Sequence, residues 1–296
     1  MKKLSHILFT LLFAITFVSY AICAIFVKPT VSVNTNETGI KLPIIMYHLV
    51  YDDENKINSF TVTPKMFEED INYILQNGYT PINFDDLKRY VYSGESLPQK
   101  PIMITFDDGF YNNYQYVFPI IKEKNIKIVL SVVGSYSQKY SEIDDTNLYY
   151  SYCNWDILKT MHDSGLVEIQ NHTYNLHTYD DNRKGVLKTI KETNEEYKKL
   201  IYDDFVLNHK MIEEKTGRVC EVLTFPYGLI SNSSHDVVKD IGYLGSFSCV
   251  EGINNITKDP KCLYRMKRYN RKGSYTTKEF FENIIKFWHI KTYMIQ

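Results

Sequence analysis

The residues that point most directly to chemistry are two adjacent carboxylates, Asp107 and Asp108, followed by Gly109. The apolar run 101–104 precedes them and is typical of a buried strand. The carboxylates are therefore predicted to lie where a strand ends, and the glycine lets the backbone turn sharply there. That edge of an open α/β sheet is where ligands usually bind. Because adjacent ionised carboxylates repel, we expect a cation or a shared proton between them. For this segment alone, an acidic turn is the alternative.

Two histidines follow a second predicted strand. Residues 167–171 have the character of a strand and lead directly into His172, with His177 further along the same loop. Imidazole and carboxylate side chains are ligands suited to zinc or a similar divalent cation. Either histidine alone would be an ordinary loop residue. Together with Asp107 and Asp108, however, they favour a metal site.

A third segment, residues 222–228, is a predicted strand that ends in Pro-Tyr-Gly. With it, the sequence resembles the polysaccharide deacetylases, carbohydrate esterase family four, also called the NodB homology domain. That family has a TFDDG-like motif, a His-Thr/Ser-x-x-His-like motif and a Pro-Tyr-Gly-like motif, in this order. The wider spacing of His172 and His177 and the segment Met46-Tyr47-His48 are similar to the branch that deacetylates poly-β-1,6-N-acetylglucosamine. The resemblance covers roughly residues 42–270.

The resemblance implies roles for single residues. Asp107 would be the general base, while Asp108, His172 and His177 would hold a divalent metal ion. Zinc is preferred, and cobalt, nickel and iron are alternatives that accept the same ligands. The sequence departs from most members at Leu176, which stands where they place the second histidine. His177 must therefore take over that position.

The general acid and the substrate contacts follow from the same resemblance. His48 is the candidate acid, because the similar branch places its acid near the start of the domain. A cap of the first strand is the alternative for His48. Tyr227 would lend its backbone N–H to an oxyanion hole, or form only a rigid turn. Trp155 would line the acetyl pocket as a substrate-binding residue, or be a core residue of its helix.

The base also needs a partner that orients it. Many members of the family have an arginine near the start of the Pro-Tyr-Gly motif, but this chain has Leu223 and Thr224 there. Arg268, further along the chain, is the candidate substitute.

Strand-like and helix-like segments alternate, which predicts parallel strands with crossover helices. The predicted strands are 42–47, 102–106, 128–133, 167–171, 222–225, 244–249 and 266–269. The predicted helices are 64–76, 114–124, 155–162, 185–216 and 277–287. The motif residues fall at strand ends, as at the rim of a barrel. We expect an α/β fold, and the resemblance implies a distorted (β/α) barrel of the polysaccharide deacetylase type, with about seven parallel strands after an N-terminal membrane segment.

The N-terminus is predicted to be a targeting element. Two lysines precede an apolar run of residues 7–27, close to the ~20 residues that span a bilayer. Lysines on the inner side predict a single-pass signal anchor in the cell membrane, with the catalytic domain outside the cell. A cleaved signal peptide and a secreted protein are the alternative. We divide the chain into this leader, residues 1–28, a polar linker, residues 29–41, and a deacetylase domain, residues 42–296.

Composition narrows the classes of function. The formal net charge of the 296 residues is −1, and basic residues are scattered among acidic ones, so no nucleic-acid partner is expected.

The leading hypothesis is a metal-dependent N-deacetylase of N-acetylglucosamine in a surface polysaccharide such as poly-β-1,6-N-acetylglucosamine. Its alternatives are a peptidoglycan N-acetylglucosamine deacetylase and a catalytically inactive carbohydrate-binding module. The cysteines after the leader allow either disulfides or free thiols.

Overall fold

The computed structural model describes residues 39–283 of the chain. The predicted leader, residues 1–28, and nearly all of the predicted linker lie outside the described residues. The strands are β1 Ile40–Leu42, β2 Ile44–Tyr47, β3 Leu49–Val50, β4 Thr61–Val62, β5 Thr80–Ile82, β6 Pro101–Phe106, β7 Ile128–Val132, β8 Val167–Asn171, β9 Val222–Thr224, β10 Gly245–Phe247, β11 Asn254–Ile256 and β12 Tyr269–Asn270. The α-helices are α1 Pro64–Gln76, α2 Phe84–Lys88, α3 Phe118–Lys124, α4 Gly134–Ile143, α5 Trp155–Asp163, α6 Asn194–Thr216 and α7 Asn232–Ile241, and residues 277–283 are also helical.

A parallel sheet organises the fold. Its strand order is β10-β9-β8-β7-β6-β2-β12, and β5 adds a further parallel pairing along the first half of β6. The prediction of about seven parallel strands is thereby confirmed. Because the strands run in one direction, the segments that follow β2, β6, β8 and β9 all emerge at the same edge of the sheet. These segments carry the three motifs and His48.

The two ends of this strand path approach each other through the segment that precedes β12. Met266 N–H donates to the carbonyl of Ser246 (2.8 Å), and Ser248 N–H donates to the carbonyl of Met266 (2.9 Å). A few residues later, β12 pairs in parallel with β2, at the other end of the path. Residues 266–270 therefore contact both ends of the path, and this segment delivers Arg268 to the interior.

The core divides between the two faces of the sheet. Residues such as Ile104 and Leu130 belong to the large apolar cluster formed with the helices, whereas their neighbours Met103 and Val129 belong to a smaller cluster on the opposite face. The alternation follows from the two-residue repeat of a strand. Near the carboxyl ends of the strands, the second face becomes polar, and the Ser131 and Thr224 hydroxyls hydrogen-bond each other there (2.7 Å).

A buried ion pair ties the C-terminal segment to helix α1. Asp70 accepts hydrogen bonds from Arg271 Nε (2.7 Å) and Nη2 (3.1 Å), and both side chains are fully buried. Tyr47 and Thr277 donate to the same carboxylate (2.8 Å and 2.6 Å). Since every partner is satisfied, the network fixes the residues that follow β12.

Two predicted helices differ from the structure. The helix predicted at 185–216 begins only at Asn194, because Gly185 has a left-handed backbone (φ +53°) and Thr193 forms a capping box with Glu196. The helix predicted at 114–124 has a π-helical turn, Asn113–Val117, before a regular helix starts at Phe118.

Among the described residues, the structure bears on the state of the cysteines and on membrane-spanning helices. Cys153, Cys220, Cys249 and Cys262 are free thiols. Within residues 39–283, no helix combines the length and the apolar character needed to cross a bilayer.

Candidate active site

The turn after β6 directs its two carboxylates to different partners. Asp108 has a left-handed backbone (φ +73°), a conformation that aspartate adopts more readily than most residues. Gly109 follows with φ +82°, and a Cβ there would lie 3.0 Å from a methyl group of Val132. The glycine therefore serves both the backbone conformation and the close approach of β7. Both carboxylates are buried, and they face different sets of residues.

Asp108 faces the two predicted histidine ligands. Its Oδ1 atom lies 3.4 Å from His172 Nε2 and 3.1 Å from His177 Nε2. One ligand atom from each of the three residues falls within 4.8 Å of the other two. Burial alone would raise the pKa of Asp108, but the two imidazoles outweigh it and hold that pKa well below its usual value. The structure therefore brings together the three predicted ligands, with the carboxylate ionised.

The second nitrogen of each imidazole has a partner of its own. His172 Nδ1 lies 2.8 Å from the carbonyl of Thr224, and His177 Nδ1 lies 3.2 Å from the phenol oxygen of Tyr227. Metal-binding histidines commonly bond their free ring nitrogen in this way, because the bond fixes the ring and its tautomer.

This cluster fits a divalent cation. Asp108 Oδ1 is buried and has no hydrogen-bond partner among the described residues, although two imidazole nitrogens face it. A buried carboxylate oxygen without a hydrogen bond is costly in a protein interior. Two imidazoles and one carboxylate match a zinc site that keeps further positions open.

The loop between the two histidines accommodates their wide spacing. Thr173 has a left-handed backbone (φ +73°), and Leu176, at the position of the usual second histidine, is buried. His177 is thereby turned towards Asp108. Helix α6 supports this turn, because the Asp204 carboxylate accepts the N–H groups of Tyr174 and Asn175 (both 2.8 Å).

A second residue of α6 supports the same loop. Asn208 Nδ2 donates to the carbonyls of Val132 (3.0 Å) and Thr173 (2.9 Å). Sequence reasoning missed both Asp204 and Asn208. The signal that existed was one polar residue, Asn208, among the apolar residues Phe205 and Ile212 on the buried face of the helix.

Asp107 is held by Arg268, the arginine that the sequence analysis proposed as its partner. Arg268 makes two parallel hydrogen bonds to it, Nη1 to Oδ1 (2.7 Å) and Nη2 to Oδ2 (2.8 Å), and the arginine is fully buried. Burial would raise the pKa of Asp107, but the charges of Arg268 and His172 lower it below the usual value. Asp107 is therefore an ionised carboxylate in a fixed orientation.

His48 is a second basic residue beside Asp107. Its Nε2 atom is 3.9 Å from Asp107 Oδ2, and its ring packs edge-on against Phe60. The side chain is 16% exposed, so a substrate can reach it. Burial outweighs the opposing charges of Asp107 and Asp108, so the pKa of His48 lies below its usual value.

Tyr227 and Trp155 occupy different surroundings. Tyr227 sits in the turn Pro226–Gly228 with a left-handed backbone (φ +57°), and it is 41% exposed beside His177. The oxyanion role of its backbone N–H stays a prediction. Trp155 is buried at the start of α5, where its indole N–H donates to Gln138 (3.0 Å). That placement agrees with the alternative of a core residue, and its part in an acetyl pocket stays a prediction.

Comparison with known proteins assigns the family. The sequence pattern of the family described as polysaccharide deacetylase matches residues 94–245, a little over half of the chain. The chain belongs to the polysaccharide deacetylase family. The family prediction is thereby confirmed.

Two relatives and one solved structure are similar to this member of the polysaccharide deacetylase family. It is 26% identical over 259 residues to the poly-β-1,6-N-acetyl-D-glucosamine N-deacetylase of Escherichia coli (strain K12), covering 81% of this chain but only 38% of that protein. The enzyme of the same name from Staphylococcus aureus (strain MSSA476) is 22% identical over 243 residues, covering 80% of this chain and 75% of that protein. A de-N-acetylase from Aggregatibacter actinomycetemcomitans shares the fold, with a TM-score of 0.71, 24% identity, and coverage of 81% and 99% of the two chains.

Proposed function

We propose that this chain is a metal-dependent N-deacetylase that hydrolyses acetamido groups of N-acetylglucosamine in a surface polysaccharide, with poly-β-1,6-N-acetylglucosamine as its substrate. The observation that carries the proposal is the convergence of Asp108, His172 and His177 on one point, beside a separately held Asp107. The names of the two relatives support the choice of polymer.

Asp108, His172 and His177 are the residues that would hold the metal ion. A divalent ion bound by such ligands lowers the pKa of water and polarises the acetyl carbonyl. Zinc suits the mixed set of nitrogen and oxygen ligands, and cobalt, nickel or iron would also be accepted.

The remaining residues of the site would move protons and orient groups. The ionised Asp107 accepts a proton from the attacking water as the water oxygen bonds to the acetyl carbon. His48, in its protonated form, gives a proton to the sugar nitrogen as the carbon–nitrogen bond breaks. Arg268 keeps the Asp107 carboxylate in one orientation, and the backbone N–H of Tyr227 would stabilise the negative charge that develops on the acetyl oxygen.

The proposal includes the place of the enzyme in the cell. The lysines and the apolar run of residues 7–27 support a leader, residues 1–28, that anchors the protein in the cell membrane with residues 42–296 outside. A polymeric substrate at the cell surface requires such an external location.

The substitution Asp107→Asn tests the proposal. It removes the base while keeping the shape of the side chain and all three metal ligands. We expect acetate release from β-1,6-linked N-acetylglucosamine oligomers to fall at least 10²-fold, with Zn²⁺ still bound at one equivalent. Full activity of the variant would refute the assignment of the base.

Two controls separate the alternatives. Peptidoglycan is offered to the wild-type full-length chain in parallel, and faster acetate release from it would redirect the proposal to that polymer. A chelator is added in a second arm and should abolish activity until Zn²⁺ is restored. Binding of oligomers without any acetate release would instead indicate an inactive carbohydrate-binding module.

A further inference from the structure

The two candidate histidine ligands are held by chemically different groups. The partner of His172 Nδ1 is the backbone carbonyl of Thr224 (2.8 Å), which can only accept a hydrogen bond. His172 therefore carries its proton on Nδ1 when neutral, and its Nε2 lone pair is free. The partner of His177 Nδ1 is the Tyr227 phenol (3.2 Å), which can either donate or accept.

The position of His177 decides which way this hydrogen bond runs once a cation is bound. Its Nε2 atom faces Asp108 Oδ1 at 3.1 Å, and it can offer a lone pair there only if its own proton sits on Nδ1. In that tautomer, Nδ1–H donates and the phenol oxygen of Tyr227 accepts. If the phenol donated instead, Nε2 would carry the proton and could not bind a cation.

Tyr227 is fixed well enough to act as that acceptor. Its ring packs against that of His177 at an interplanar angle of 42°, with centroids 4.7 Å apart, and Tyr179 packs edge-on against it at 5.2 Å. The turn beneath it is tight, because a Cβ on Gly228 would lie 2.7 Å from Cys249 Cβ. The phenol thus belongs to a rigid turn, whereas His177 lies on a loop.

We propose that the Tyr227 phenol is a positioning residue for His177: it accepts the Nδ1–H bond and keeps Nε2 free to bind the divalent cation. This inference rests on the metal site of the proposed function. It adds a side-chain role to a tyrosine whose expected role used only its backbone N–H. It also explains how a ligand on an enlarged loop acquires the orientation that a backbone carbonyl gives to His172.

The substitution Tyr227→Phe tests the inference on the full-length chain. It removes the phenol oxygen and keeps both the ring and the backbone N–H. Because loss of such a partner commonly costs 10- to 100-fold in metal affinity, we expect the dissociation constant for Zn²⁺, measured by competition with a chromogenic chelator, to rise by about that factor. Excess Zn²⁺ should restore most of the acetate release, since the catalytic groups are intact.

The matched control is Tyr179→Phe, which deletes a hydroxyl from the neighbouring exposed ring and should leave the Zn²⁺ affinity unchanged. Nuclear magnetic resonance of the Zn²⁺-loaded protein gives a second readout. The wild type should show hydrogen-bonded Nδ1–H signals for His172 and His177, and Tyr227→Phe should lose the His177 signal alone. A Zn²⁺ affinity within twofold of wild type, or a retained His177 signal, would overturn the inference.

The affinity measurement is independent of catalysis. If the protein binds Zn²⁺ in a Tyr227-dependent way but releases no acetate, the positioning role stands and the proposed function fails. If acetate is released and Tyr227→Phe binds Zn²⁺ as tightly as wild type, the proposed function stands and the positioning role fails. A wild-type chain that binds no divalent ion would refute both.

Discussion

Asp107 depends on an arginine that lies 161 residues further along the chain. Its carboxylate is buried, so without a positive partner it would tend to take up a proton and lose its capacity as a base. Arg268 prevents this through two hydrogen bonds and its charge. It also donates from Nε to the carbonyl of Ser248 (3.0 Å), which fixes the plane of the guanidinium.

The substitution Arg268→Lys tests this dependence. A lysine keeps the charge but can reach only one carboxylate oxygen, and it lacks the planar fork that orients Asp107. We expect kcat for acetate release to fall about 10- to 100-fold, because small errors in the placement of a catalytic group cost that much. Binding of Zn²⁺ should be unchanged.

The control for that experiment is Arg265→Lys. Arg265 lies three positions earlier, is exposed, and donates to Asn232 at 3.3 Å. The kcat of the Arg265→Lys variant should stay near that of wild type. Equal activity of the two lysine variants, with both shown to be folded by thermal unfolding, would mean that Arg268 does not orient the base.

Helix α6 acts as a support for the histidine loop rather than as a source of ligands. Asp204 accepts two backbone N–H groups between His172 and His177, and its carboxylate is partly desolvated, so burial raises its pKa to about 6. The two hydrogen bonds hold the segment in which the chain departs from the usual spacing of the family. The enlarged loop and the helix beside it therefore depend on each other.

The substitution Asp204→Ala should loosen this loop. Because hydrogen bonds to a charged group contribute about 1.5–3 kcal/mol each and one of these is exposed, we expect a loss of about 1–3 kcal/mol in the free energy of unfolding. The dissociation constant for Zn²⁺ should rise as well, since His177 is no longer held in place. Urea unfolding and chelator competition measure the two effects.

The neighbouring residue offers a matched control. Asp203→Ala removes an exposed carboxylate that pairs with Lys199 on the surface of the same helix. Surface pairs of this kind contribute about 0–1 kcal/mol, and Zn²⁺ affinity should not change. If both variants bind Zn²⁺ as wild type does, Asp204 has no role in placing His177.

Local signals in the sequence account for the parts of the fold that were predicted correctly. Helix α1 runs from Pro64 to Gln76 as predicted, because Thr63 caps its start and proline suits its first position. The strands that carry the motifs were recognised from short apolar runs. The predicted start of α6 is too early, although Thr193 and Glu196 carry the capping-box pattern in the sequence.

The candidate site was predictable to a different degree. Asp107, Asp108, His172 and His177 have residue types that reveal their chemistry, and each follows a strand. The sequence identified Arg268 as a candidate partner of Asp107 but could not predict its position. Arg268 reaches Asp107 only because residues 266–270 contact both ends of the sheet. Asp204 carries no local signal of its role, because its partners are backbone groups of a distant loop.

A second buried charged cluster lies at the opposite end of the strands and bears on the stability of the whole domain. Glu168, at the start of β8, accepts the N–H of Asp85 (3.0 Å) and the side-chain amide of Gln170 (2.6 Å). Arg218 lies 3.5 Å from it but makes its closer contact with Asp85 (2.9 Å). Burial raises the pKa of Glu168 to about 7, and Asp85 adds to this effect while Arg218 opposes it.

The raised pKa makes stability depend on pH. The ordinary pKa of a glutamate is 4.5, so between pH 4.5 and about 7 the folded state holds a proton at Glu168 that the unfolded state has released. The free energy of unfolding must therefore fall as pH rises through this window, by about 3 kcal/mol for this one group. Below pH 4.5 both states are protonated, and the full contribution is present.

The substitution Glu168→Gln removes this titration and keeps an oxygen that accepts the Asp85 N–H. We expect the free energy of unfolding, measured by urea denaturation at several pH values from 4.5 to 8, to fall less steeply with pH than in wild type, so that the variant gains relative stability above pH 7. Glu69→Gln, which removes an exposed carboxylate of α1, should follow the wild-type curve. Parallel curves for Glu168→Gln and wild type would show that Glu168 is ionised in the folded protein throughout, with Arg218 dominating over burial.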